Sequence, residues 1–266
     1  MTANDARLNA VRPYRGYGAI NSLEDWFNSN YNSMQLSVQK RFSGDSLLNI
    51  AYTWARGMTD NQTDRSSAAQ NFYDRHGGEY GPSQVDRRHV LTANYVYELP
   101  WMKDQRGSVG RLLGGWQISG ITTFSTGLPL TVTTSGVDPG GLGIMGTSAA
   151  SARPDLVGDP NTGGARTLLQ WFNTAAFANV PAGVYRPGNE GRGVVRGPGY
   201  ARWDFSIFKN IKLSETVSTQ FRAEMFNVFN HTNPNGVNVS FTSTSFGQIT
   251  SYRDPRIIQF ALKFRF

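Results

Sequence analysis

The side chains best able to do chemistry are few and poorly spaced for it. His76, His89 and His231 are the only histidines, and no two of them stand at a local metal-ligand spacing. Metal centres written into sequence place ligands a few residues apart on one element, so these imidazoles are expected to be solvated or at a rim. Cysteine is absent, which removes disulfides, thiolate zinc sites and thiol nucleophiles. Asp60, Asn61 and Asp64 open like a calcium loop but lack the central glycine and closing glutamate of an EF-hand. The run Gly188 to Gly199 is glycine-rich without the Gly-Lys-Ser/Thr that a phosphate loop requires, and Gly-x-Ser-x-Gly does not occur. No catalytic residue, cofactor site or metal site is expected, and the chain does not read as an enzyme. The aromatics Phe72, Tyr73, Trp171 and Phe172 lie in polar, irregular stretches. There they could contact a ligand, although packing of their own loops is the plainer reading.

The elements around these residues read as β-strands. From Ile258 to Phe266, the residues Ile258, Phe260, Leu262, Phe264 and Phe266 alternate with Gln259, Ala261, Lys263 and Arg265. Period-two alternation puts each set on its own face of a strand. Terminal residues fray unless tied down, so a last strand that is apolar to its final ring must be paired and covered. Similar alternation predicts six earlier strands. Met34, Leu36, Val38 and Phe42 form one face of the first, with Lys40 as an exception. Leu48, Ile50, Tyr52 and Trp54 form one face of the second, and Leu91, Ala93, Tyr95, Tyr97 and Leu99 one face of the third. The fourth begins at Trp116 and should bulge at Gly127 and Pro129 before Thr131-Val132-Thr133 resumes it. The fifth sets Trp203, Phe205, Ile207, Ile211 and Leu213 on one side, with a bulge expected at Phe208 and Lys209. The sixth sets Val217, Phe221, Ala223 and Met225 against Gln220, Arg222 and Glu224, the last two reading as a lumen-lining ion pair.

Between these strands the connections run short, long, moderate, long, short, long. Outer-membrane barrels place short turns in the periplasm and long loops outside. Trp54, Tyr97, Trp116, Trp203, Phe264 and Phe266 lie near strand ends on the proposed apolar face, where a ring with a polar edge suits the headgroup level. The mean hydropathy of -0.41 does not oppose this, because half of each strand would face a wet lumen. A soluble carbohydrate-binding β-sandwich would also gather aromatics on one face, but its turns should recur about every 8 to 12 residues. The fold class expected is therefore all-β: about seven antiparallel transmembrane β-barrel strands of a partial barrel, with long extracellular loops. The net charge of +7 permits acidic partners such as lipopolysaccharide. Its scattered cations and the lack of a nucleic-acid motif argue against nucleic acid.

Four segments resemble a known family. They are Asp86-Arg87-Arg88-His89 leading to Glu98-Leu99-Pro100, and Arg196-Gly197-Pro198-Gly199 followed by Trp203 to Asn210. The others are Arg222-Ala223-Glu224-Met225-Phe226-Asn227-Val228-Phe229-Asn230, and Asp254-Pro255-Arg256 through Phe266. In this order they resemble the C-terminal barrel strands of TonB-dependent outer-membrane receptors, especially the Oar-like group, over residues 31 to 266. The resemblance implies a Gram-negative outer-membrane location and active uptake of a solute, with outer-membrane lipid and lipopolysaccharide as neighbours. It also implies that the terminal strand face of Phe260, Leu262, Phe264 and Phe266 is read by the barrel-assembly machinery. Members normally carry a signal peptide, a TonB box, a plug domain and a far longer barrel. Residues 1 to 266 show none of these further parts and resemble the C-terminal third of a barrel, from a gene fragment or a shortened chain, with TonB engaged only through missing N-terminal parts. An adhesion or surface-interaction role on the same barrel is the alternative.

Overall fold

The computed structural model describes residues 14, 17, 27–42, 46–62, 70, 78–134, 152–214 and 216–266. Its elements in chain order are β1 (Ser29–Arg41), β2 (Leu47–Thr59), β3 (Gly81–Pro82), β4 (His89–Glu98), helix α1 (Gly107–Leu113) and β5 (Trp116–Ser125). The short strands β6 (Pro129–Leu130), β7 (Asp155–Leu156), β8 (Phe177–Ala178) and β9 (Val195–Arg196) follow. Next come β10 (Tyr200–Lys212), β11 (Ser218–Phe226), β12 (Pro234–Val237), β13 (Ile249–Tyr252) and β14 (Ile257–Arg265).

Seven long strands form one antiparallel wall in the order β1-β2-β4-β5-β10-β11-β14, and β3 adds a short pairing to β2. Each is 9 to 13 residues long, enough for a tilted crossing of the hydrocarbon layer. The connections at residues 42–46, 99–115 and 213–217 gather at one rim, and those at 60–88, 126–199 and 227–256 at the other. Among the described residues β1 and β14 each pair on one side only, so the wall stays open.

Directly opposed residues of an antiparallel pair share a face, so the registers carry the apolar face across the whole wall. Leu36 opposes Tyr52, Tyr52 opposes Leu91, and Leu91 opposes Phe124. Farther along, Ile118 opposes Ile207, Ile207 opposes Ala223, and Ala223 opposes Phe260. The opposite face carries Gln35, Thr53, Asn94, Ser119, Ser206, Glu224 and Gln259. Among the described residues no second large sheet covers the apolar face: Phe260 remains 69% exposed and Leu262 58%. A sandwich would have buried that face, so the sandwich alternative fails.

Several boundaries differ from the sequence reading, each for a pairing reason. β1 begins at Ser29 and β2 continues to Thr59, because these ends pair with each other even though the hydrophobic alternation has lapsed. The bulge expected at Phe208 and Lys209 is absent, since β10 holds an unbroken register to both neighbours there. Phe208 falls on the polar face beneath the Arg222 guanidinium, 5.2 Å from its ring centre. Lys209 falls on the apolar face, where its ammonium donates to the Leu112 and Gly114 carbonyls and sits 5.1 Å over the Trp116 ring. Both partners lie at the short-turn rim, so the side chain reaches headgroup level while its stem covers apolar surface. Lys40 behaves alike at that rim, lying over Phe42.

The fourth strand does not resume after Gly127. β6 leaves the wall and pairs with β9, and Thr133 bridges Ser240. Gly127 permits the departure: a Cβ there would stand 1.9 Å from the Gly197 carbonyl oxygen. The turn before β5 contains helix α1, which its composition did not announce.

Candidate functional site: the loop-bearing rim

At the rim with long connections, residues 129–134, 152–198 and 234–252 fold into a body with its own core. Val132, Phe172 and Val195 are fully buried there, and Ala176 and Phe177 nearly so. Phe172, Phe177 and Phe246 meet edge to face, with centroids 5.1 to 5.8 Å apart. This is the aromatic geometry that adds about 0.5–1.5 kcal/mol per pair beyond area burial. Phe172 is therefore a core side chain of this body, packed within its own loops. Trp171 beside it stays partly open, donating from Nε1 to the Arg196 carbonyl at 2.9 Å and lying under Arg166. Phe72 and Tyr73 lie outside the described residues, as do His76 and Asp64.

Buried charges hold this body to the rest of the chain. Glu79 receives both terminal nitrogens of Arg153 at 2.9 and 3.1 Å, the Arg192 Nε, and the Gln70 amide at 2.8 Å. Four charge-assisted or amide donors saturate its two oxygens. Asp155 takes Arg186 bidentately at 2.6 and 2.7 Å and the Asn189 amide at 3.0 Å. The Arg186 guanidinium holds that carboxyl below its usual range. Glu190 differs. One oxygen accepts from the Val132 amide at 2.9 Å, the other has no partner, and burial pushes its pKa up to about 8. The glycine-rich run 188–199 thus presents buried Glu190 and the ion-paired cations Arg192 and Arg196.

One end of each of the four sequence segments singled out above meets the others at this rim. Asp86 is buried, accepts the Gly57 amide at 2.8 Å, and faces Arg196 at 3.4 Å and Arg88 at 3.8 Å. The first two segments are thereby joined across 110 residues. Asn227 donates to the His231 and Asp254 carbonyls and receives the His231 amide, while its own amide donates to Asp204. The Arg256 amide donates to the Asn230 side chain at 3.0 Å. The third and fourth segments are tied together there and to β10.

The remaining expected residues fall as follows. His89 lies on the apolar face at this rim, 2.8 Å from the Tyr52 hydroxyl through Nδ1, and His231 meets the Trp203 ring edge. Asp60 accepts the Asn28 amide and so ties the end of β2 to the start of β1. Arg222 and Glu224 do not pair with each other. Arg222 Nε donates to Gln220 Oε1, and Glu224 accepts from Gln259 across the β11–β14 ladder. Cross-strand neighbours stand closer than residues two apart on one strand, which decides the partners. At the opposite rim, Phe264 and Phe266 share the apolar face with Tyr97 and Trp116, while Trp54 and Trp203 lie toward the loop-bearing end. Aromatic rings therefore border the apolar band on both sides.

One wall of strands of crossing length, one continuous lipid-compatible face and alternating short and long connections now stand together. The family model of the outer membrane beta barrel domain matches residues 1–259. The chain belongs to that family. Membership places this outer membrane beta-barrel domain in the outer membrane and makes the apolar face its lipid side. Comparison with curated proteins and with solved structures finds no match. Among the described residues no His, Asp or Glu cluster is arranged to hold a metal.

Proposed function

We propose that this chain is the C-terminal barrel portion of a TonB-dependent outer-membrane transporter that takes up a solute actively. The observation that carries the reading is the meeting of the four receptor-like segments, each by one end, at one rim, through Asp86–Arg196 and the bonds of Asn227 and Asn230. In this reading the wall strands separate lipid from lumen, and the body built on Phe172 and Val195 contributes to the extracellular vestibule. The role requires no catalysis and no cofactor from this chain, and coupling to TonB is assigned to no residue of it. The test is uptake of labelled siderophores, cobalamin, oligosaccharides and peptides by cells with and without the gene, repeated with a protonophore. Uptake of one solute should require both the gene and the proton gradient. Unchanged uptake of every solute together with loss of surface adhesion would select an adhesion barrel instead.

The edge strand β14 adds an assembly role to the reading. Phe260, Leu262 and Phe264 line its apolar face, and Phe266 follows at 99% exposure. Losing one rim ring removes only about 1.5–3 kcal/mol of burial, small beside a paired wall. Deleting Phe266 in a full-length parent should nonetheless leave unassembled protein in the periplasm if the assembly machinery reads this face, with Phe266→Tyr largely restoring insertion. Normal surface levels after the deletion would refute recognition while leaving the barrel intact.

A further inference from the structure

Two guanidiniums from different connections meet at the loop-bearing rim on the polar, lumen-side face, with no carboxylate between them. Ser125 of β5 and Tyr200 of β10 oppose each other on that face, in line with Ser119 and Ser206. Arg87, from the connection before β4, donates through Nη1 to the Ser125 hydroxyl at 3.1 Å and to the Thr126 carbonyl at 3.0 Å. Arg253, from the connection after β13, lays its guanidinium 4.7 Å over the Tyr200 ring. Among the described residues no ion pair joins either of them to a carboxylate, Asp254 beside Arg253 included. Two carboxylates of this rim are already taken, Asp86 by Arg88 and Arg196, and Asp204 by Arg202. Burial, and then the Arg253 charge, push the Arg87 pKa down. The two cations thus oppose each other in a partly desolvated place, where like charges repel more than in water. We propose that Arg87 and Arg253 bind an oxoanion, a carboxylate or phosphate group of a water-borne solute in the lumen, and that this chain selects polyanionic solutes.

The way these cations are held suits that ligand. Tyr200 keeps the Arg253 guanidinium flat without neutralising it, and Arg87 uses only Nη1 on the wall. Both therefore keep N–H donors for the planar, bidentate contact that guanidinium makes with carboxylate and phosphate. The arrangement recurs deeper on the same face. Arg222 lies 5.2 Å over the Phe208 ring, and its guanidinium donates to Gln220 and to no carboxylate. Phe208 is about 26 Å along β10 from Tyr200. Lys212, Lys263 and Arg265 carry this face on to the short-turn rim, against Glu224 alone. On β1, β2, β4 and β5 the same face bears only Arg41 and Glu98. The cations therefore form a stripe on β10, β11 and β14, headed by the Arg87–Arg253 pair at the outer rim. A multiply charged anion is attracted at each level of such a stripe, and a neutral solute at none. The proposal deepens the transport reading by naming the solute's chemical class, while the binding itself rests only on the lumen-facing placement.

The test is isothermal titration calorimetry of the full chain in uncharged detergent micelles at low ionic strength. The probes are tricarballylate, pyrophosphate and the uncharged trimethyl ester of tricarballylate. Wild type should bind at least one of the two anions at least tenfold more tightly than the ester, and the tighter anion identifies the oxoanion group. The double variant Arg87→Gln/Arg253→Gln should lose at least tenfold in anion affinity. Arg106→Gln/Arg111→Gln, which removes the same charge at the opposite rim, should keep it. A ligand that binds only the folded form stabilises it, so the bound anion should raise the urea midpoint of wild type and leave that of Arg87→Gln/Arg253→Gln unchanged. Equal affinity of wild type for anions and ester would overturn the proposal even if the variants failed to fold. So would equal losses in the two double variants, which would reduce the binding to net charge. Anion binding that meets these expectations without gene-dependent uptake of any solute would leave the site standing and refute transport alone.

Discussion

Glu190 carries the clearest pH dependence at the scale of single residues. Its unbonded oxygen and its burial favour the neutral acid, with a pKa raised from 4.5 to about 8. Below pH 4.5 folded and unfolded forms both hold the proton, so the contribution to stability is fully present. Between that point and about 8 the folded form holds more protons than the unfolded one. Stability must therefore fall as pH rises, by up to about 1.4 kcal/mol per pH unit. Glu190→Gln keeps the acceptor for Val132 and carries no titrating proton. It should flatten the dependence and stabilise the loop body at pH 8, as read from urea midpoints at pH 5 and pH 8; an unchanged slope would show that the proton is held elsewhere. Asp86→Ala makes a second case, because it strips the Gly57 amide and Arg196 of their acceptor. A buried group left unpaired costs about 1–3 kcal/mol, so limited proteolysis should cut the long connections of this variant sooner than those of wild type. An unchanged cleavage rate would count against Asp86 as the tie between them. None of these partnerships was legible in the sequence. Arg153 and Arg192 reach Glu79 from 74 and 113 residues away, and charge pairing at such separation leaves no period to detect.

At the scale of elements, alternation was enough to find the seven wall strands and assign their faces, since a one-residue slip would invert every side chain. It failed where pairing outruns pattern, as at Ser29 and Thr59, and where a cation sits on the apolar face near a rim, as at Lys209. It also failed in the long connections, whose two-residue ladders and aromatic core have no repeat to read. The facing assignment gives a direct test. Arg introduced at Leu262 or Phe221 should cost about 2–4 kcal/mol if these positions meet lipid near the midplane. Their opposition across β11 and β14 places both at one depth. Gln259→Arg should cost little, because it faces Glu224 on the polar side. Gln220, which the sequence alone offers as an equivalent control, is a poorer one: it is buried and bonded to both Asn210 and Arg222. Equal destabilisation at Leu262 and Gln259, measured by urea titration in lipid vesicles, would reverse the faces.

For the whole molecule the decisive quantity is the state of the two edges. β1 and β14 each present an outer row of amide and carbonyl groups that no described strand satisfies. In water such rows template pairing with another chain, and in lipid each unsatisfied group costs several kcal/mol. The apolar face adds to the pressure. Met34, Leu36 and Val38 on β1, and Phe260, Leu262 and Phe264 on β14, are all exposed, so both edges are sticky as well as unpaired. β1 also carries few charged side chains to discourage pairing: only Lys40 and Arg41 stand on it, both at the short-turn end. The expected outcome is that the chain alone does not persist as a monomer. It should self-associate through β1 and β14, or form its full sheet only when further strands are supplied. Sedimentation equilibrium in uncharged detergent should therefore show assemblies above the monomer mass, and an added polypeptide carrying further wall strands should convert them to a smaller complex. Lys placed at Leu36 and Leu262 should weaken the assemblies by charging both edges. A stable, detergent-free monomer with intact strand content would contradict the open wall, because a sheet with these edges and this face has no means of remaining alone in water.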